Sequence, residues 1–456
     1  MSEALSEVDV SVLSDNVVNM LADMQLDGTV SNNQRRLKRG VWRDSSDDQT
    51  WEEELDIPVN LNSVEALRFI GLKKSAAQSV LGNWRSGLDL HGHPHMSQDD
   101  VYDLIDFAFG HLEGKSDAVE ESDEWLKCLK EMGIKKSLRE GICDPAFIEI
   151  RLTQTAREWA EQSLREVWDF LLGLDQKIRL NRQNLQARYT ETSRGRGSES
   201  RGESAHRGRS QQLRSQSEKS GKSGKSSSRG RDSKDGRDES AQPLFGVPEV
   251  LRVDNMVAGE DYIVFYKGGT RERLTSCKSE AGKPLAIGNI LTQPPGDFHA
   301  TSLVLYLTKR YQVAYQYANF AHRRHQNSAG LSAGVLAIQI PKSLVLEDST
   351  RYIWDDAEWR KLVWTCRRYR FDSSDISEQQ AILELYDDCQ WIIGKTCSQS
   401  NDKVRRLKSD DELQIMQVGE TRANQWVCVS DAMLNKIAQE SQDHVWFATT
   451  HGGKQG

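Results

Sequence analysis

A strand that leads into a glycine-rich turn carries the first side chains that could do chemistry. Tyr266 and Lys267 are followed directly by Gly268 and Gly269. The lysine ammonium can donate hydrogen bonds to a hydroxyl group, as a mobile point charge rather than a fixed planar group. The two glycines also indicate a turn, and a strand tyrosine is more often a core residue than a binding platform. The chemical and the structural interpretation of this segment both stay open.

Two further segments carry polar groups of complementary chemistry. Tyr306 supplies an aromatic ring and Thr308 a hydroxyl group, two positions further along an apolar run. Glu412 and Gln414 are separated by one leucine, so on a strand both would face the same side. A carboxylate can stabilise a developing positive charge, whereas an amide cannot take up that charge. Glu412 also ends an acidic run, and a solvated strand start is the alternative interpretation.

The cysteines and histidines do not indicate a metal site or a thiol nucleophile. None of the seven cysteines forms a CxxC pair, which excludes a zinc ribbon, and their odd number does not favour a disulfide framework. Cys366 and Cys397 have no adjacent histidine. His322 and His325 lack an HExxH pattern and indicate an exposed basic helix end. We therefore predict no metal and an intracellular protein, cytoplasmic or nuclear.

The elements that must position these side chains lie between residues 243 and 456. Short β-rich runs alternate there with helical stretches, which predicts an α+β domain of about 210 residues, large enough for its own core. The predicted strands cover residues 261–266, 303–308, 334–340, 389–394 and 413–418. The predicted helices cover residues 310–325 and 357–368.

The order of these runs resembles the ADP-ribosyltransferase-like superfamily, and an uncharacterised fungal and bacterial branch is the nearest. Residues 265–270 are similar to the family's opening strand, Tyr-His-Gly-Thr. Residues 302–308 and the helix after them are similar to its Gly-Phe-Tyr-Leu-Thr strand and Ala-x-x-Trp-Ala-like helix. Residues 391–394 and 412–415 are similar to its Asp-x-Ile-x-Gly segment and its closing Gln-Ile strand. The resemblance covers residues 260–435.

The resemblance implies NAD as the substrate. The residues it assigns to NAD binding are Tyr266, Gly268, Gly269, Tyr306 and Thr308, and those it assigns to catalysis are Lys267, Glu412 and Gln414. Lys267 stands where the family has His or Arg, and Gln414 stands where it has the catalytic glutamate. The implied function is binding of NAD or ADP-ribose with degenerate catalysis, and the enzymatic form is an ADP-ribosyltransferase or NAD glycohydrolase.

The first 189 residues are predicted to form an acidic arm and a helical domain. Residues 1–60 are expected to be mostly disordered, with one short amphipathic helix. Residues 61–189 show helical periodicity and form the predicted all-α unit, an interaction domain for an unknown protein partner. Its strongest signal, residues 153–189, has the heptad spacing of a long helix, but two tryptophans off the seam favour a broader buried face equally.

Residues 190–242 are predicted to be a disordered linker that separates the two folded parts. Residues 191–240 contain 14 Ser and 8 Gly, and such a chain buries too little apolar surface to offset its ordering entropy. Their Arg-Gly and Arg-Ser steps resemble RNA-contacting tails, so a non-enzymatic scaffold that binds RNA is the alternative function. The whole chain has a net charge of −8 and no long apolar run, which argues against nucleic acid as the main partner of the folded parts and against a membrane span.

Overall fold

The structure is a computed structural model that describes residues 30–31, 34–38, 54–87, 103–196, 259–279, 282–326, 331–345, 349–354, 356–370 and 376–449. It is a mixed α/β protein. Residues 1–178 and 250–456 form one compact unit, and residues 179–249 form another. The predicted amphipathic helix within residues 1–60 and the linker beyond residue 196 lie outside the described residues.

A small antiparallel sheet lies within the segment that was predicted to be a mostly disordered arm. Its strands are β1 (Val30–Ser31), β2 (Gln34–Lys38) and β3 (Glu54–Pro58), in the order β1-β2-β3. Leu37, Leu55 and Ile57 are buried and belong to the core of the helical region. A strand forms here despite the acidic composition, because Glu54 and Asp56 alternate with two buried apolar side chains. The prediction of disorder was therefore wrong for these strands.

In the described residues after this sheet, seven α-helices form the predicted helical region. They are α1 (Val64–Ile70), α2 (Lys74–Arg85), α3 (Leu104–Glu113), α4 (Trp125–Glu131), α5 (Lys136–Ile142), α6 (Ile148–Arg151) and α7 (Ala156–Arg196). Ser63 begins the first of them, because its hydroxyl oxygen accepts a hydrogen bond from the backbone N–H of Ala66 at 3.1 Å.

Helix α7 is the long helix that the heptad spacing predicts, and it ends seven residues beyond the predicted residue 189. The predicted seam is buried down to Ile178. Trp159, Trp168 and Phe170 are buried as well, although they lie off that seam. Up to residue 178 the helix therefore has a broad buried face in a single unit, which is the second of the two arrangements that the sequence left open.

Strands and helices alternate through the C-terminal half. Their bounds are β4 (Tyr262–Thr270), α8 (Arg271–Thr275), β5 (Leu305–Leu307), α9 (Tyr311–His325), β6 (Ala333–Pro341), β7 (Thr350–Ile353), α10 (Asp356–Arg368), α11 (Ile376–Glu384), β8 (Trp391–Lys395), α12 (Asn401–Arg406), β9 (Gln417–Val418), β10 (Thr421–Arg422), β11 (Asn424–Cys428), α13 (Asp431–Glu440) and β12 (Val445–Thr449).

Two sheets form the centre of this half. One has the strand order β5-β11-β8-β7 and is antiparallel except for the parallel pair β7 and β8, and the other has the antiparallel order β12-β6-β4. Both sheets contribute to one hydrophobic core, in which the ring of Phe265 on β4 stacks on Trp391 of β8 with centroids 5.8 Å apart. An isolated pair, Tyr266 and Thr308, links β4 to the end of β5.

The last predicted strand, residues 413–418, is largely absent. Residues Asp410–Glu412 form a 3-10 turn, Ile415 makes a single bridge to Cys397, and only Gln417–Val418 belongs to a strand. The turn forms because the hydroxyl of Ser409 caps it, accepting a hydrogen bond from the backbone N–H of Asp411. Glu412 and Gln414 therefore do not lie on one face of a strand.

The helical region and the C-terminal half pack against each other within one compact unit. Phe320 of α9 is buried in the core of the helical region, edge-on to Trp159 of α7 with centroids 4.9 Å apart. Beside it, Arg324 and His325 both contact the carboxylate of Glu166, at 3.3 Å and 2.6 Å. Helix α9 therefore belongs to both parts, with one face on the sheet and another on α7. In the described part of the chain, no helix is long and apolar enough to cross a membrane.

Candidate functional site

A cavity of about 1450 Å³ lies between helix α7 and the sheets of the C-terminal half. Strand β4, helix α8, strand β5 and helix α9 form one side, and residues 288–289 and 291–297 also line the cavity. Helix α7 contributes the opposite wall, from Glu158 to Leu174. The cavity is larger than most small-molecule pockets, which measure roughly 300–1,000 Å³. It therefore has room for a ligand of dinucleotide size.

Six of the eight predicted site residues line this cavity, namely Tyr266, Lys267, Gly268, Gly269, Tyr306 and Thr308. Tyr266 and Thr308 exchange two backbone hydrogen bonds, of 2.7 Å and 3.0 Å, which hold the end of β5 against β4. The hydroxyl of Thr308 accepts a hydrogen bond from the backbone N–H of Arg310 at 3.1 Å, just before α9 begins. The two segments, about 40 residues apart in sequence, thus meet at one place in the fold.

Lys267 is a basic residue that lies where these two segments meet. Its side chain lies on the same strand face as Phe265 and reaches the cavity at the margin of the inter-sheet core. Its Nζ donates a hydrogen bond to the backbone carbonyl of Tyr306 at 3.2 Å. Burial, with a smaller contribution from the charge of Arg273, lowers the pKa of Lys267 from 10.5 to about 7. The residue is nevertheless only partly buried from solvent.

The tyrosines of the site occupy different environments. The hydroxyl of Tyr306 is enclosed, accepts a hydrogen bond from the backbone N–H of Phe298 at 3.2 Å, and has a pKa that burial raises well above its usual value. Gly296 lies directly over it, so that a Cβ there would be 2.3 Å from the hydroxyl oxygen. Tyr266 is half-buried, edge-on to Tyr311. Both tyrosines therefore have structural contacts as well as a surface on the cavity.

The adjacent glycines have unequal roles. A Cβ on Gly268 would lie 1.8 Å from the backbone oxygen of Ala314, so only glycine lets helix α9 lie this close to β4. A Cβ on Gly269 would meet its nearest neighbour, Leu274, at 3.7 Å, which is ordinary van der Waals contact. Gly268 therefore positions the helix, whereas Gly269 tolerates a small side chain.

Glu412 and Gln414 lie away from the cavity and are not among its lining residues. The carboxylate of Glu412 accepts a hydrogen bond from the backbone N–H of Lys408 at 3.0 Å, and the residue is exposed. The backbone of Gln414 is held by Gln399 and Ser398. Glu412 and Gln414, which were predicted to be catalytic, therefore do not lie in the same site as Lys267.

The cavity also contains a buried ion pair that the sequence did not reveal. Asp297 binds Arg367 at 2.6 Å and accepts further hydrogen bonds from the side chain of Gln425 at 2.5 Å and the backbone N–H of Cys397 at 2.9 Å. Asp297 follows a Pro-Pro-Gly turn signal, and Arg367 lies in a basic helix end. Neither local pattern identifies a partner 70 residues away.

The α7 wall is acidic and contains groups with shifted ionisation. Burial raises the pKa of Glu161 to about 7, and it raises the pKa of Glu158, which accepts a hydrogen bond from the backbone N–H of Thr155 at 2.7 Å. The pKa of Glu166 is instead held far below its usual range by Arg324 and His325, against the effect of its own burial. These helical residues were predicted to form an interaction domain and not a ligand site.

The cavity can thus hold a large polar ligand between a basic strand end and an acidic helix. Among the residues that the structure describes, no group of three His, Cys, Asp or Glu side chains is arranged to bind a metal ion. Compared with known protein families, with curated proteins and with solved structures, the chain shows no match.

Proposed function

We propose that the cavity binds the ADP-ribose part of a nucleotide such as NAD, and that it does so without transferring ADP-ribose. The observation that carries the proposal is the convergence of two segments on one cavity. Both segments, 265–270 and 302–308, resemble the NAD-binding strands of ADP-ribosyltransferase-like proteins, and they supply six lining residues. A chance resemblance of two unrelated strands would not require them to be neighbours. The C-terminal half is accordingly proposed to be of ADP-ribosyltransferase-like type.

The distribution of charge supports a phosphate-containing ligand. Lys267, Arg271 and Arg273 all lie on β4 and α8 and line the cavity together. The guanidinium of Arg273 is oriented by a hydrogen bond of 2.8 Å from Nη2 to the carbonyl of Leu291. Charge-assisted hydrogen bonds to phosphate are roughly twice as strong as neutral ones. A pyrophosphate is the expected occupant of this side, with hydroxyl groups toward the carboxylates of α7.

Three carboxylates of the cavity, those of Asp297, Glu166 and Glu161, are poorly suited to support transfer. Cleavage of the nicotinamide–ribose bond develops positive charge, and a carboxylate must stabilise it. Asp297 and Glu166 are each neutralised by a buried arginine. Glu161 is about half protonated at neutral pH, because its pKa is raised to about 7. With Glu412 outside the cavity, binding without catalysis is the function that the site supports best.

Calorimetric titration of the full-length chain tests the binding. We expect ADP-ribose and NAD to bind the wild-type protein at pH 6.5, where Lys267 is mostly protonated. Lys267→Met should weaken binding by about tenfold or more, because a hydrogen bond to a charged group contributes about 1.5–3 kcal/mol. Glu412→Gln is the matched control and should bind as the wild type does. Absence of heat with both ligands would overturn the proposal.

Nicotinamide release from NAD tests the absence of transfer. The wild-type protein is expected to release no nicotinamide above the uncatalysed rate. Release that disappears in Glu412→Gln would instead establish Glu412 as catalytic, despite its position outside the cavity. That result would replace the non-catalytic function by an ADP-ribosyltransferase or NAD glycohydrolase.

A further inference from the structure

Lys267 has an unusual set of neighbours for a lysine that lines a cavity. Its Nζ donates one hydrogen bond, to a backbone carbonyl, although an ammonium has three donors. Among the described residues, no carboxylate forms an ion pair with it, even though the cavity contains six acidic side chains. The guanidinium of Arg273, which has the same sign, lowers the pKa of Lys267 further. The site therefore leaves the charged form of this amine without compensation.

Such an environment favours the neutral amine, which is the nucleophilic form of lysine. Enclosure by protein atoms disfavours the ammonium, and a neighbouring cation disfavours it further. The neutral form suits the observed geometry, because one N–H bond satisfies the carbonyl of Tyr306 and the nitrogen lone pair stays available. The pKa of about 7 means that roughly half of Lys267 is neutral at pH 7. For an ordinary lysine that fraction is roughly 0.03%.

We propose that Lys267 is a nucleophilic amine that forms an imine with the aldehyde group of a phosphorylated sugar bound in the cavity. The phosphorylated sugar of this proposal is ADP-ribose. This inference rests on the proposed function for its ligand, because free ADP-ribose opens to an aldehyde at the sugar carbon that carried nicotinamide in NAD. Intact NAD has no such aldehyde and is held without a covalent bond.

The reaction is a balanced condensation. The lone pair of Nζ attacks the aldehyde carbon and forms a C–N bond, while a proton moves from nitrogen to the former carbonyl oxygen. The C–O bond of this carbinolamine then breaks, the oxygen leaves as water together with the remaining proton of the nitrogen, and the C=N bond forms. No oxidant or reductant is required. The guanidinium of Arg273, which a hydrogen bond to the carbonyl of Leu291 orients at the cavity, would bind the phosphates and so hold the aldehyde next to the amine.

Reductive trapping on the full-length protein tests the proposal. The protein is incubated at pH 7 with ADP-ribose and cyanoborohydride, in parallel with NAD and with pyridoxal 5′-phosphate followed by borohydride. Modified lysines are then identified by peptide mass spectrometry. We expect Lys267 to be labelled at least about tenfold faster than any exposed lysine with ADP-ribose and with pyridoxal phosphate, because of its neutral fraction. NAD should give no adduct.

Two variants test whether labelling depends on the amine of Lys267 itself. Lys267→Arg keeps a cation but removes the nucleophile, so the adduct should disappear. Lys309→Met is the control, because burial also lowers the pKa of Lys309. The Nζ of Lys309 lies 3.8 Å from the ring centroid of Trp426, and the residue does not line the cavity. Labelling of Lys267 should therefore be unchanged in this variant.

The outcomes distinguish this inference from the proposed function. Calorimetric binding of ADP-ribose without preferential labelling of Lys267 by either aldehyde would overturn the imine and leave the binding function standing. Preferential labelling by pyridoxal phosphate alone, with no binding of ADP-ribose, would support the nucleophile and overturn the nucleotide as its ligand. Labelling spread evenly over exposed lysines would be ordinary glycation and would overturn the inference.

Discussion

The side-chain nitrogen of Lys267 donates a hydrogen bond to the backbone carbonyl of Tyr306, 3.2 Å away, and so joins the two strands that line the cavity. The neighbouring residues Tyr266 and Thr308 join the same two segments through a pair of backbone hydrogen bonds. These contacts hold a lysine amine at the margin of the inter-sheet core. Its ionisation should therefore affect both the stability of the protein and its ligand binding.

The first prediction concerns the pH dependence of stability. The folded-state pKa of Lys267 is lowered from 10.5 to about 7, so between these values the folded state binds fewer protons than the unfolded state. The free energy of unfolding therefore rises with pH across that window. Lys267→Met removes this dependence on pH. The unfolding free energy of the variant minus that of the wild type should therefore be higher at pH 6 than at pH 9, by roughly 2 kcal/mol or more. Urea unfolding of both proteins at the two pH values measures this difference.

A pH-independent difference between the two proteins would contradict the assigned environment of Lys267. The Lys278→Met variant is a suitable control, because Lys278 is exposed. Its unfolding free energy should follow that of the wild type at both pH values.

The second prediction concerns the two adjacent glycines. Gly268→Ala places a Cβ 1.8 Å from the backbone oxygen of Ala314, so β4 and α9 must separate, and we expect a loss of about 2–3 kcal/mol. Gly269→Ala has its nearest contact at 3.7 Å and should cost less than about 1 kcal/mol. Chemical denaturation of the two variants compares them directly. Equal destabilisation would show that α9 does not approach β4 closely at Gly268.

The fold of the C-terminal half was predictable where local patterns decide it. The runs at residues 261–266 and 334–340 became β4 and β6, and the helix predicted at 310–325 became α9 within one residue. Strand β11 was not predicted, because its five residues begin with the polar pair Asn424 and Gln425 and contain an apolar run of three residues. The strand at 413–418 was wrong because a serine cap and an acidic turn compete with strand pairing there.

The site was predictable only in part, because its walls come from distant segments. Lys267 and Tyr306 were chosen from motifs that do lie on the cavity. Glu161 and Glu166 were not, because a helical stripe reports which face is buried and not what it packs against. The Asp297–Arg367 pair likewise depends on tertiary contact alone. Local signals therefore identified one wall of the cavity and missed the other.

The third prediction concerns the ion pair between α7 and α9. Glu166→Gln leaves the buried guanidinium of Arg324, which is 3% exposed, without its counter-charge. Breaking a buried pair by removing one partner typically costs about 3–5 kcal/mol. Glu120→Gln is the matched control, because its pair with Lys403 also connects the two halves but is partly exposed, and it should cost less than about 1 kcal/mol. Urea unfolding at pH 7 compares the two, and similar losses would contradict the burial of Glu166.

The fourth prediction concerns separation of the two halves. A protein of residues 243–456 alone would expose Phe320, Arg324 and His325, which are buried in the full-length chain. It would also lack the α7 wall of the cavity. We expect this fragment to aggregate or to bind a hydrophobic dye, and not to bind ADP-ribose. A monomeric fragment with cooperative unfolding would contradict the single-unit arrangement of residues 1–178 and 250–456.

The most direct test of the central claim is a crystal structure of the full-length protein soaked with ADP-ribose. We predict density for the nucleotide between β4 and α7, with its phosphates within hydrogen-bonding distance of Arg271 or Arg273 and its terminal ribose next to the Nζ of Lys267. A nucleotide bound instead beside Glu412 and Gln414, or a cavity that stays empty at saturating ligand, would contradict the account.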